Sequence, residues 1–316
     1  MKKQIAVIAI GGNSLIKHRE KQTVEDQYNA ICETTKHLVD LVELGYQLVI
    51  THGNGPQVGF IMLRSEIARD QIGLHIVPLS SCVADTQGAI GLQIQQSLTD
   101  ELEKRRMEAK AVTIVTQVEV SSTDPGFLLP EKTIGEFYAA EKLVKLKEQH
   151  PDWILKEDSN RGYRRVVASP LPEKIVEENA VIALLKNDFH VIAAGGGGVP
   201  VVRSDIGLTS VDAVIDKDKT ASLLATDLHA PLLVISTAIE QVMLNFGTDK
   251  EEGLGQITMQ EAKKYLHDGH FAPGSMAPKI EAAIDFIQNG GKKVIITNPE
   301  NIGEAIRHGK GTQIVP

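Results

Sequence analysis

Cysteine is scarce in this 316-residue chain, which holds only Cys32 and Cys82. Two thiols cannot staple a disulfide scaffold, so the fold must rest on a buried core, and a reducing cytoplasm is the expected compartment. A positive balance is also lacking. Lys and Arg number 33 against 41 Asp and Glu, a formal charge of −8. This argues against nucleic acid or a membrane surface as partner, while leaving room for a local basic pocket. No apolar stretch approaches the roughly 20 residues of a membrane span. The opening MKKQIAVIAIGG has too short an apolar run for a secretory signal and reads as a first strand. There is no G-x-x-x-x-G-K-[ST], which excludes a P-loop nucleotide site. Aromatics are few, with Trp153 the single tryptophan, and they offer no functional clue.

What the chain does have is a regular alternation. Almost continuously apolar runs at 4–10, 46–50, 111–118, 190–194, 231–236 and 292–297 read as parallel strands covered on both faces. Helical segments lie between them. Thr23 caps one whose apolar face is Val24, Ile31, Leu38, Leu41 and Val42, and Gly45 ends it. Pro56 falls at the first position of another. Further helices are expected over 173–187, 217–228 and 274–290, the last closed by Gly290 and Gly291. This βαβα order predicts an α/β fold, a three-layer α/β/α sandwich around an open, mostly parallel central sheet. The length suits one domain over 1–316, with an N-lobe of about 1–200 and a C-lobe of about 201–316. From 120 to 167 the rhythm breaks into prolines and turn residues with an amphipathic helix near 136–148. A small protruding subdomain inserted between two strands is expected there.

At least three strands run into glycine turns: Gly11, Gly12 and Asn13; Gly53, Asn54 and Gly55; and Gly195 to Gly198. Ligands of open α/β sheets bind beyond the carboxyl ends of the strands. Glycine loops gathered there, each expected to open toward a helix, bare backbone N–H groups to a common point, which suits an anion better than three unrelated tight turns. The stretch GNGPQVG is one residue off the dinucleotide fingerprint, so a Rossmann oxidoreductase is a rival. It lacks the acidic strand end about 20 residues downstream that would hold a ribose. Charges to accompany a phosphate lie at Asp216, Lys217, Asp218 and Lys219, and at Lys279. A lysine just inside a helix start is disfavoured by the helix dipole unless an anion sits nearby. In the inserted region Lys132 stands in a turn, and Arg161, Arg164 and Arg165 are surface residues or internal ion-pair partners. His52 has no second histidine at ligand spacing and reads as a structural imidazole bonded to its loop. Cys82 reads as a buried helix residue.

Taken together, AIGGN, THGNGPQVG, DPGFLLPEKTIGEFY, GGGGVPV, AVIDKDKTA and HFAPGSMAPKIEAAI resemble the carbamate kinases of the amino-acid-kinase fold, in the right order over nearly the whole chain. The resemblance implies reversible phosphoryl transfer between ATP and carbamate, giving ADP and carbamoyl phosphate, with Mg²⁺. It also implies a cytoplasmic homodimer, run toward ATP synthesis in arginine, agmatine or purine breakdown. Carried over, Gly11, Gly12, Asn13, Gly53, Asn54 and Gly55 would hold carbamate and the phosphoryl group. Lys132, on a mobile lid, would reach over the carbamate. Lys217 and Lys279 would lie along the ATP phosphates with Asp218 keeping them in register. Ser275 and Met276 would border the nucleotide, and no metal-binding side chain is expected. The sequence departs from the family at STAIEQVML (236–244), where the usual acidic residues are absent or displaced to Glu240. It departs again at Ser159 and Asn160, and at LSSC (79–82). A regulatory, non-catalytic relative is the remaining alternative, and only the 236–244 segment speaks for it.

Overall fold

The computed structural model describes residues 3–11, 15, 23–108, 110–158 and 162–316. The N-terminal half begins β1 (Gln4–Ile10), α1 (Val24–Glu43), β2 (Tyr46–His52), α2 (Gln57–Ile72), α3 (Leu79–Lys104) and β3 (Ala111–Thr113). It continues through β4 (Gln117–Val120), β5 (Lys132–Tyr138), α4 (Leu143–Gln149), β6 (Ile154–Glu157) and β7 (Tyr163–Val167). Next come β8 (Pro172–Ile175), α5 (Glu178–Lys186), β9 (His190–Ile192), β10 (Val199–Ser204) and β11 (Gly207–Ser210). The chain then forms α6 (Lys217–Asp227), β12 (Leu232–Ser236), β13 (Met243–Leu244), β14 (Glu252–Gly253), β15 (Gln256–Thr258) and α7 (Met259–His267). It ends in α8 (Ala277–Gln288), β16 (Lys293–Thr297), α9 (Ile302–His308) and β17 (Thr312–Val315).

Among the described residues the central sheet has eight strands, ordered β15-β17-β16-β12-β1-β2-β9-β3. All neighbouring pairs are parallel except β16 with β17. The strands read as continuous apolar runs because both faces are covered, and the pleat divides each run between two cores. Ala6, Ile8 and Ile10 of β1, with Leu48 and Ile50 of β2, pack on Ile31 and Leu38 of α1 and Ile94 and Leu98 of α3. Val7, Ala9, Val49, Leu233 and Ile235 face the other way, onto Leu224 of α6, Ile280 and Ala283 of α8 and Val181 of α5. Burying each such aliphatic side chain contributes about 1.5–3 kcal/mol. The middle strands therefore cannot slip by one residue without exchanging both cores.

Local signals start and stop the helices much as the residues suggest. Thr23 and Asp26 form a reciprocal capping box on α1, and Gly45 follows its end with φ +90°. Val24, expected on the apolar face of α1, is instead exposed. Pro56 is the cap residue before α2, not its first residue.

Four further expectations need correction. The run 111–118 is two strands. β3 joins the central sheet, but at Thr116 the chain turns away to bond Gln87 and Ala194, and β4 enters a second sheet ordered β11-β10-β4-β8. The helix expected over 173–187 starts at Glu178, because Pro172–Ile175 pairs antiparallel with β4 and buries Ile175. Near 136–148, residues up to Tyr138 are held extended by pairing with β7, and the helix occupies Leu143–Gln149. Finally, Gly195–Gly198 opens into strand β10 rather than a helix. The inserted region has its own three-stranded antiparallel sheet, β5-β7-β6.

Candidate active site

Beyond the carboxyl ends of β1, β2 and β12, three helices begin around one cavity of about 450 Å³. α2 contributes the Gly53–Gly55 loop, Pro56, Val58 and Gly59. α6 contributes Asp216, Lys217 and Asp218, and α8 contributes Pro278 and Lys279 with Gly274 and Ser275 just before it. The inserted sheet closes the remaining side with Lys132, Thr133, Ile134, Gly135 and Arg164. Helix N-termini carry unsatisfied N–H groups and partial positive charge, so their convergence favours an anion before any side chain is counted.

The charged side chains form two linked groups. Lys132 Nζ donates to Asp216 Oδ2 at 2.8 Å. Asp216 also caps α6, its Oδ1 accepting from the N–H of Asp218 at 2.9 Å and of Lys219 at 3.4 Å. Two residues further on, Asp218 is clasped by Lys217 on one oxygen and by Lys279 Nζ on the other, the latter at 2.8 Å. Burial opposes ionisation of Asp216, but the Lys132 ammonium outweighs it and holds the carboxyl well below the usual range. Asp218 is likewise kept low against burial by Lys217 and Lys279. Burial pulls the Lys217 ammonium down from the ordinary lysine range; Asp218 opposes this and Lys279 adds to it. Three ammonium groups thus share two carboxylates, and the excess positive charge faces the cavity. A phosphate oxygen is the partner that would relieve Lys217.

The glycine loops are locked by buried polar groups. Gly53 N–H donates to Ile10 O at 3.1 Å, tying the second loop to the end of β1. His52, fully buried, donates from Nδ1 to Gly53 O at 2.8 Å, and its other face fills the space where a Cβ on Gly195 would sit. Burial first, and the Lys217 charge besides, lower the His52 imidazole to about 4, so it is a neutral wedge between two loops. Asn54 is also buried, and its Nδ2 has no hydrogen-bond partner among the described residues. Arg164 donates from Nη1 to Thr133 Oγ1 at 3.0 Å and from Nη2 to Gly135 O at 3.1 Å, with Asp158 3.2 Å away.

Of the residues singled out in the sequence, Lys132, Lys217, Asp218, Lys279, Gly53, Asn54, Gly55 and Ser275 line this one cavity. Gly11 instead lies against the Ser236 carbonyl, where a Cβ would come within 2.8 Å of the oxygen. Met276 is the cap residue of α8 and packs on the core below it. Gly12 and Asn13 fall outside the described residues, as do Ser159, Asn160 and Arg161. Asp216, read in the sequence only as one of the charges that would accompany a phosphate, lines the cavity as well, and Thr237 does so without having been singled out. Asp216 had a legible signal, an aspartate at the cap position of a helix, but its pairing with Lys132 spans 84 residues and no local pattern announces it. Cys82 is buried in α3, and burial pushes its thiol up to about 11.

Comparisons with known proteins agree with this geometry. Residues 4–298 match the amino acid kinase family. The chain is 49% identical to the carbamate kinase-like protein YahI of Escherichia coli over 99% of both chains. It is 45% identical to the carbamate kinase of Staphylococcus haemolyticus and 43% identical to that of Pyrococcus horikoshii, each over 98% of both chains. A solved structure of carbamate kinase from Giardia lamblia bound to AMP-PNP superposes with a TM-score of 0.91 at 37% identity, covering 99% of this chain and 98% of that one. These matches displace the dinucleotide-binding alternative. The chain belongs to the amino acid kinase family, and within it to the carbamate kinases.

Proposed function

We propose that the protein catalyses reversible phosphoryl transfer between ATP and carbamate, giving ADP and carbamoyl phosphate, with Lys132, Lys217 and Lys279 as its catalytic cations. The observation that carries this is the convergence of those three lysines and three helix N-termini on the cavity above Gly53–Gly55. Carbamate already bears an anionic oxygen, so no general base is needed to make a nucleophile. The neutral, buried His52 is in keeping with that. What the site must do is hold two anions together and stabilise charge on a phosphoryl group moving in line between them.

Lys217 and Lys279 would lie along the nucleotide phosphates, held in register by Asp218. Lys132 would face the transferring group from the acceptor side. The Gly53–Gly55 loop, through the N–H of Gly55 and the side-chain amide of Asn54, would hold carbamate and the phosphoryl oxygens, joined by Gly11, Gly12 and Asn13; the Gly53 N–H stays on Ile10 O and fixes the loop. Ser275 and Met276 would border the nucleotide. The inserted subdomain, 120–167, would act as a lid over the N-lobe's acceptor side, opposite the C-lobe's nucleotide side. Mg²⁺ fits through the nucleotide: Asp216 and Asp218 are each engaged by lysine, which leaves the ion to phosphate oxygens and water. Bound there, it would neutralise charge on the β- and γ-phosphates. A cytoplasmic homodimer working toward ATP synthesis completes the reading.

The test is ATP formation from carbamoyl phosphate and Mg·ADP, run beside Lys279→Ala. ATP from the wild type and almost none from the variant is the expected result. No ATP from folded, nucleotide-binding wild type would remove the proposal and favour a regulatory relative.

A further inference from the structure

The inserted sheet does not merely approach α2; it rests on it, backbone against backbone. A Cβ built on Gly59, in the first turn of α2, would lie 2.7 Å from Gly135 Cα, 3.1 Å from its nitrogen and 3.4 Å from its carbonyl carbon. Gly135 is the residue of β5 with φ +72°, a conformation that suits glycine. Both residues line the cavity beside the Gly53–Gly55 loop, and Lys132 stands three residues before Gly135 on the same strand. The seat extends behind this contact, where Met62 and Leu63 of α2 meet Ile134, Tyr138 and Trp153 of the insertion. Arg164 stiffens it by holding the Gly135 carbonyl at 3.1 Å and Thr133 Oγ1 at 3.0 Å.

We infer that the Gly59–Gly135 contact is a gauge for the acceptor pocket: it seats the inserted sheet low enough that an acyl group the size of carbamate is accepted and one a carbon longer is excluded. The inference rests on the proposed function and names what selects its substrate. Backbone atoms cannot swing aside as a flexible side chain can. One methyl at position 59 must therefore lift β5 by about 1 Å to restore ordinary contact near 3.5–4.0 Å. Lys132, carried on β5, moves with it, and the pocket gains about the height of one methylene. A displacement of about 1 Å can cost about 10²-fold in rate. One methylene in an apolar pocket is worth about 10–200-fold in selectivity.

The experiment compares carbamoyl phosphate, acetyl phosphate and propionyl phosphate as donors to Mg·ADP. In each case the P–O bond to the acyl oxygen breaks, the carboxylate leaves with the electron pair, and a terminal phosphate oxygen of ADP takes the phosphoryl group. For Gly59→Ala, kcat with carbamoyl phosphate should fall about 10²-fold while the KM for ADP holds. The propionyl-to-carbamoyl ratio of kcat/KM should rise at least about ten-fold. Alanine favours α2 intrinsically by about 1 kcal/mol over glycine, so loss of the helix would not account for this. Emission from Trp153, the single tryptophan, should shift as the seat lifts. Gly88→Ala, in α3 with nothing near its Cβ, should match the wild type. Arg164→Lys, which loosens the brace without touching position 59, should raise the same ratio by a smaller factor. A uniform fall in rate with the wild-type ratio in both variants overturns the gauge, as does an unchanged rate with unchanged emission. Failure of the wild type itself with carbamoyl phosphate would instead strike the proposed function, and the emission of Gly59→Ala would still report whether the seat had moved.

Discussion

Asp218 is shared by two lysines, and that sharing shapes what single substitutions should do. The carboxylate is almost fully buried, with 3% of its side chain exposed. Lys217→Ala leaves it paired with Lys279, and Lys279→Ala leaves it paired with Lys217. Each single variant should therefore stay folded while turnover falls about 10²–10³-fold, the usual effect of removing one well-placed donor. Removing both lysines strands a buried charge, and the double variant should lose about 3–5 kcal/mol, far more than the two single effects added. Urea unfolding of the three variants checks this, and near-wild-type stability of the double variant would separate Asp218 from the cluster. Lys217 and Lys279 were visible in the sequence as cations at helix starts, where the dipole disfavours them. That they meet on one carboxylate was not visible, because 61 residues separate Lys279 from Asp218.

At the level of elements, Asp216 has two tasks that substitution can divide. As the cap of α6 it satisfies backbone N–H groups, and as the partner of Lys132 it ties the inserted sheet to the floor of the cavity. Asparagine caps a helix about as well as aspartate but carries no charge. Asp216→Asn and Asp216→Ala should thus impair turnover alike, while only the alanine variant loses about a further 1 kcal/mol of stability. Equal stabilities would remove the capping role, and full activity of Asp216→Asn would remove the pairing role. Element boundaries show why part of the fold was legible and part was not. The strands at 4–10 and 46–50 are long, apolar and bounded by glycine, and they are found where expected. The run from Glu173 to Val176 is too short for its period to separate strand from helix, so its pairing with β4 decided it. Residues around Glu136 have helical composition, yet cross-strand bonds to β7 hold them extended.

For the molecule as a whole, acid is the expected weakness. His52 and His190 are both buried and lowered to about 4, in each case chiefly by burial. His190 Nδ1 accepts the N–H of Leu48 at 3.0 Å, a bond that only the neutral ring can make. An unfolded histidine titrates near 6.5, so between there and about 4 the unfolded chain binds more protons. Stability is full above about pH 6.5 and falls as pH drops, by about 2 kcal/mol per histidine at about pH 5. Urea midpoints at about pH 7 and about pH 5 should show this, with a smaller drop in His190→Gln; the same drop in that variant would assign the acid weakness elsewhere. Sequence alone determined the layered α/β class, the three glycine loops, the caps and the lysines, because each is written in residues near one another in the chain. Folding decided which loops open toward helices, which carboxylate each lysine meets, and how low the inserted sheet sits on α2. Those follow from contacts between distant segments, whose geometry is set by the packing of two cores on one sheet and is encoded in no single stretch.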